Sequence, residues 1–174
     1  MSNPAIETIL NRHSGREFTG GEIPEEEMNL LMECLRWSPS AGNLQPWFFY
    51  IVKSRSAKRA LAEAAFHQDF IEDAAVVFVV CAEPEAAAAV YGERGRSLYC
   101  LQDTAAAVEN LILAATALGY GSCWIGAFNE GMAREALRMP RHLRPVAIVP
   151  VGPGEQVSRF PGRKKASEVF EVVE

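Results

Sequence analysis

Apolar and polar positions along the chain switch repeatedly between helical and extended periods. Met28, Leu31, Met32 and Leu35 recur at i, i+3, i+4 and i+7, which predicts an amphipathic helix. Pro24 opens it, and Glu25, Glu26 and Glu27 fall in its first turn, where carboxylates complement the positive end of the helix dipole. Asn3-Pro4 predicts a shorter helix to about Asn11, and Ser38-Pro39 ends the second. Residues 47–52 form an aromatic and β-branched run that predicts a strand. Ser56 caps an Ala-rich helix to about Phe66, and residues 75–81 read as a strand buried on both faces. Residues 83–95 predict a short helix with poorly marked ends.

The strongest pattern covers residues 97–118, closed by Gly119 as a C-cap. Leu98, Leu101, Ala105, Val108, Ile112 and Ala115 recur three and four apart, and Leu111 and Leu113 widen the stripe. A helix apolar on most sides belongs in the centre of a fold or between subunits. A short strand at 123–125, a helix from Asn129 to about Met139 and a buried strand at 146–151 follow. Residues 152–174 carry polar turns, a basic run and an alternating tail from Val169 to Val173. Helices intermingled with few strands place the chain in a mixed α and β class.

Composition narrows the partners. With 174 residues, 49% of them hydrophobic, the whole chain, 1–174, is expected to form one domain that buries roughly 70% of its unfolded surface without disulfides. A net charge of -5 argues against nucleic acid, which requires a basic face. The longest apolar run, residues 74–82, is far short of the ~20 residues a membrane helix requires, and the first residues carry no secretory signal. A cytoplasmic protein with no membrane partner is expected. Cys34, Cys81, Cys100 and Cys123 lack zinc spacing and read as reduced thiols, and His13, His67 and His142 have no partner at ligand spacing.

Candidate chemistry lies in two loops. Gly119-x-Gly121 is not followed by the third glycine of a dinucleotide fingerprint, and neither a Walker A sequence nor a G-x-S-x-G elbow occurs. Arg12-His13-Ser14-Gly15-Arg16 sets two guanidiniums and a hydroxyl on one side of an extended segment, a donor set that suits phosphate. A second cationic cluster is Arg163-Lys164-Lys165. Two such clusters suit a small phosphorylated ligand; solvated charges paired with glutamates are the alternative. In the turn-rich segment 38–47, Pro39 and Pro46 fix the backbone and Gly42 admits a flat ligand, while Ser40, Asn43 and Gln45 offer groups that read a polar ring edge. A capped helix-to-strand connection is the alternative there. Neither loop supplies a nucleophile with a base, so redox chemistry would need a cofactor.

In this order the features resemble the nitroreductase family of FMN-dependent oxidoreductases. The resemblance rests on R-x-S-x-R-x-F (Arg12, Ser14, Arg16, Phe18), P-S-x-x-N-x-Q-P-W from Pro39 to Trp47, a long match over residues 103–128, and the basic C-terminal run followed by Ser167-Glu168-Val169. It implies an α+β fold with a mixed, mainly antiparallel sheet flanked by helices, in an intertwined homodimer with FMN at the subunit interface. Arg12 and Ser14 would hold the FMN phosphate and ribityl end, joined by Lys164 and Arg163. His13 stands where many members have Arg and some have His, and Arg16 would lie near the pyrimidine edge. Pro39, Ser40, Asn43 and Gln45 would contact the ring system from the partner subunit. Ile125 and Gly126 would present backbone atoms, with the Gly126 N–H donating to flavin N5.

The implied activity is ping-pong hydride transfer from NAD(P)H through the flavin to a small electron-poor acceptor such as a nitroaromatic or quinone. A flavin storage or sensor module without nicotinamide turnover is the alternative. Two stretches depart from the family pattern. Only His67 or Gln68 could replace a Lys that some members place near the flavin. The segment 83–95, expected to lie over the flavin, is short, and its Tyr91 and Arg94, with nearby Arg96, are either substrate or NAD(P)H contacts or surface positions.

Overall fold

The computed structural model describes residues 3–154 and 162–174; the polar turns expected across 155–161 lie outside the described residues. Helix α1 spans Pro4–Asn11, with the Asn3 side chain accepting the Ala5 N–H at 3.0 Å. Helix α2, Glu25–Arg36, buries Met28, Leu31 and Leu35, the stripe its periodicity marks. A single 3-10 turn, Ala41–Asn43, leads into strand β1, Trp47–Val52. Helices α3 (Arg55–Ala64) and α4 (Phe70–Asp73) precede strand β2, Val76–Ala82, all seven of whose residues are buried. Helix α5, Pro84–Arg94, is kinked at Gly92 (φ 58°, ψ -144°) and leads through a π turn, Gly95–Tyr99, into α6, Cys100–Ala117. Strand β3 (Gly121–Ser122), helix α7 (Glu130–Ala136) and strand β4 (Arg144–Gly152) complete the core.

The sheet runs in the order β1-β2-β4-β3, and all three pairings are antiparallel. Because successive strand residues point to opposite faces, β2 feeds two cores. Val77, Val79 and Cys81 pack with Leu61 and Ala62 of α3, Ile71 of α4 and Ile148 of β4. Val76, Phe78 and Val80 pack with Leu31 and Leu35 of α2 and with Val108, Leu111 and Ile112 of α6. Each Val, Leu, Ile or Phe side chain among them contributes about 1.5–3 kcal/mol when fully withdrawn from water. The long apolar helix is therefore a central layer of one face. Among the described residues no helix is long and apolar enough to cross a membrane, and all four cysteines are free thiols.

Several boundaries differ from the sequence expectation. Helix α3 starts ahead of Ser56, because the Lys58 N–H already closes on the Ser54 carbonyl at 3.0 Å. The α-helical part of the long helix starts at Cys100, because residues 95–99, with Leu98 of the expected stripe, form a π turn. Gly95 permits that turn: a Cβ there would collide with the Ala87 carbonyl. The short strand expected at 123–125 instead pairs at Gly121 and Ser122, opposite Gly152 and Val151, and Ile125 keeps only an isolated bridge to Ile148. The alternating tail forms no strand in this chain. Val169, Phe170, Val172 and Val173 are exposed beyond a short turn at Ala166–Glu168.

Candidate functional site

The segment carrying the two guanidiniums is strapped along the β3 edge of the sheet. The Arg12 N–H closes α1 on the Thr8 carbonyl at 2.9 Å, the Gly15 N–H donates to the Ser122 carbonyl at 2.8 Å, and the Thr19 N–H donates to the Pro153 carbonyl at 2.9 Å. Phe18 bridges to Gly154. With the backbone so fixed, Arg12 is half-buried and Ser14 and Arg16 are exposed. The Ser14 hydroxyl and the Arg16 guanidinium both lie close to the Cys123 thiol. Burial pushes that thiol up, while Arg16 and Ser14 pull against it; the net shift is upward, so Cys123 is a neutral packing residue.

Two bonds between Ile125 and Ile148, of 2.9 and 3.0 Å, pin the next stretch to β4. Ile125 is buried and Gly126 is exposed, with nothing within 4 Å of where a Cβ would stand. Arg12, Ser14, Arg16, Ile125 and Gly126 thus share one edge of the sheet. Paired guanidiniums and a hydroxyl beside an open glycine can hold a phosphate and admit a flat ring close to the backbone. His13 joins this edge differently: its Nδ1 is 3.1 Å from the Asn11 carbonyl, back toward α1.

The second loop lies elsewhere, on α6. Asp103 Oδ1 accepts the Ala41 N–H at 3.0 Å, and Asn110 Nδ2 donates to the Ser38 hydroxyl at 2.9 Å and to the Cys34 carbonyl at 3.3 Å. Within the loop, the Ser40 hydroxyl accepts the Gln45 N–H at 2.9 Å, and the Gln45 side-chain amide donates to the Asn43 carbonyl at 3.3 Å. Gly42, Asn43 and Gln45 all take left-handed backbone angles, with φ of 56°, 55° and 53°. Pro39, Asn43 and Gln45 are exposed and Ser40 is half-buried. Asp103 and Asn110 were not among the site residues expected from sequence; the available signal was their seven-residue spacing, which puts two polar side chains on one face of a helix apolar on most sides.

The two groups do not meet within one chain. The loop enters β1, one edge of the sheet, whereas Ile125 and residues 12–16 flank β3 and β4 at the other. Three strand spacings separate those edges by roughly 14 Å. Arg163 and Lys164 are exposed, and Arg163 donates to the Gly162 carbonyl at 3.2 Å. His67 is exposed in a left-handed turn after α3, and the Gln68 amide is held by the Ala65 carbonyl at 3.0 Å. Arg94 donates to the Tyr99 hydroxyl at 3.0 Å, and Arg96 pairs with Glu85 and Glu93, so both cations serve the α5 segment itself.

The model of the nitroreductase family matches residues 9–68 and 64–153. The chain is 31% identical to an NADH dehydrogenase of Thermus thermophilus, over 84% of this chain and 85% of the relative. It is 29% identical to an FMN reductase (NADPH) of Bacillus subtilis, over 86% of this chain and 66% of that one. A solved nitroreductase from Bacillus subtilis superposes with a TM-score of 0.84 at 28% identity, covering 96% of this chain and 73% of that one. The family match takes in the guanidinium segment, the loop on α6 and the Ile125–Gly126 stretch alike; this chain belongs to the nitroreductase family.

Proposed function

We propose that this chain is an FMN-dependent NAD(P)H oxidoreductase that works as a homodimer, each flavin site drawing on both copies. The observation that carries the reading is the separation of the two groups of candidate residues to opposite sheet edges in one chain. Residues 12–16 with Ile125 and Gly126 would come from one copy, and Pro39, Ser40, Asn43 and Gln45 from the other. The names of the Thermus and Bacillus relatives support a nicotinamide donor and a flavin.

A second copy has surfaces to engage. Among the described residues strand β1 has an open edge bearing exposed Phe48 and Ile51, and the apolar tail from Val169 to Val173 pairs with no strand. An apolar cavity of about 360 Å³ opens between α1, α2 and α6, lined by Ile9, Trp37 and Leu113 among others.

In this reading bound FMN supplies the hydride chemistry, from reduced nicotinamide and on to a small electron-poor acceptor such as a nitroaromatic or quinone, in ping-pong order. The chain's own residues bind and orient. Arg12 and Ser14, joined by Arg163 and Lys164, hold the phosphate end by charge-assisted bonds. Arg16 places a cation near the pyrimidine edge, where negative charge develops on reduction. Gly126 offers its N–H from a backbone that Ile125 pins to β4. The loop on α6 covers the ring and keeps water from it. The free thiols accord with a reducing cytoplasm.

The test is the visible spectrum of the purified protein with FMN, followed by NADH or NADPH without air. A yellow protein that bleaches supports the reading. A yellow protein that stays oxidised with both donors sinks the oxidoreductase reading and leaves a binding module. A protein that takes up no FMN sinks both.

A further inference from the structure

Helix α6 buries a carboxylate in a mainly apolar setting: Asp103 is 7% exposed, and among the described residues it forms no ion pair. Withdrawing a carboxylate from water is costly unless donors compensate it, and burial raises the group's pKa against the opposing pull of the Ala41 N–H. That N–H opens the 3-10 turn of the loop. Gly42, Asn43 and Gln45, immediately beyond it, are all left-handed. For Asn and Gln this conformation is sparsely populated, and a run of such residues persists only when neighbouring structure over-determines it. Helix α6 provides that restraint at two points. Asp103 holds Ala41 and Asn110 holds Ser38, and seven residues along a helix bring two side chains back to one face.

We propose that Asp103 is a positioning residue of the flavin site: by anchoring the Ala41 N–H it holds Ser40, Asn43 and Gln45 in the conformation that receives the ring. The inference rests on the reading above, in which this loop faces flavin. It assigns Asp103 no contact with the cofactor; its effect passes through one backbone bond.

That bond can be removed from either end in the full-length protein. Asp103→Ala removes the acceptor. Ala41→Pro removes the donor without touching α6, and the backbone admits it, because Ser40 is extended (φ -145°, ψ 155°) as a residue before proline must be. The measurements are the Kd for FMN, from quenching of its fluorescence, and the visible circular dichroism of the bound flavin. Each single variant should weaken FMN about tenfold or more and change the dichroism, as expected for a lost charge-assisted bond. Asp103→Asn, which keeps an acceptor, should recover most of the affinity, and the double variant Asp103→Ala with Ala41→Pro should be no weaker than either single one.

A wild-type Kd and dichroism in Asp103→Ala overturn the proposal, and so do losses that add in the double variant. If Asp103→Ala does not fold, Ala41→Pro decides alone: a wild-type Kd there overturns it. Failure of the unaltered protein to take up FMN overturns this proposal together with the function it rests on. FMN uptake unaffected by the variants overturns the role of Asp103 only.

Discussion

The Tyr91 hydroxyl occupies the space in which a Cβ on Gly42 would stand. Helix α5 therefore closes on the loop from one side while Asp103 and Asn110 grip it from α6. Gly42 is required twice over, by that contact and by its φ of 56°. Gly42→Ala should cost about 1–2 kcal/mol for the backbone alone, and more from the collision, visible as a lowered Tm. Adding Tyr91→Ala should return the part due to the collision and leave the backbone part. Equal Tm values for the single and double variants would show that Tyr91 does not press on this loop.

The phosphate role predicts that Arg12→Ala loses FMN affinity about tenfold or more, in line with removal of one charge-assisted bond. Raising the ionic strength should weaken FMN binding to the wild type more than to Arg12→Ala, since the variant has one solvent-accessible charge fewer to screen, the half-buried Arg12 guanidinium. Equilibrium dialysis at two salt concentrations measures both effects. An unchanged flavin content in Arg12→Ala would remove this residue from the site.

How much of this was legible in the sequence depended on whether the determining contact was local. The stripe of α2 and the apolar run of β2 carried their own period, and both formed where that period placed them. The start of α6 was hidden because Leu98 continues the three-and-four spacing of the stripe in sequence, and residue type does not distinguish a π turn from an α-helix across residues 95–99. The β3 pairing was displaced because two residues opposite Gly152 and Val151 suffice for it, a choice made by β4 and not by propensity. In the site, Arg12, Ser14 and Arg16 were marked by residue type and spacing. Asp103 and Asn110 were not, since their partners Ala41 and Ser38 are 62 and 72 residues away in sequence and meet them through the packing of α2 on α6.

At high pH the link between α2 and the approach to β3 should fail. The Tyr120 hydroxyl donates to the Glu27 carboxylate, and that bond, reinforced by burial and the carboxylate's charge, pushes the phenol from its ordinary value of 10 up to about 12. Because the folded-state value is raised, the stabilisation is fully present below pH 10, where unfolded tyrosine is neutral. It is lost as the pH climbs from about 10 to about 12. Tm measured across this window should fall more steeply for the wild type than for Tyr120→Phe, which has nothing there to ionise. Parallel slopes would rule the link out as the cause.

Sharing of each site between two copies can be tested by complementation. Arg12→Ala damages one group of contacts, and Asn43→Ala with Gln45→Ala damages the other, on the opposite edge of the sheet. Each variant dimer alone should bind FMN poorly. In a mixed dimer of composite sites, one site collects every lesion and the other collects none. Co-expression with random pairing should then restore about a quarter of all sites to wild-type affinity, since half the dimers are mixed and each carries one intact site. If Arg12 and the loop served the same site from a single chain, every site in a mixed dimer would carry a lesion. Titration of FMN into the purified mixture would then show no tight-binding fraction. Counting tight sites distinguishes the two arrangements without requiring either variant to be active, because the fraction depends only on which chain supplies each half.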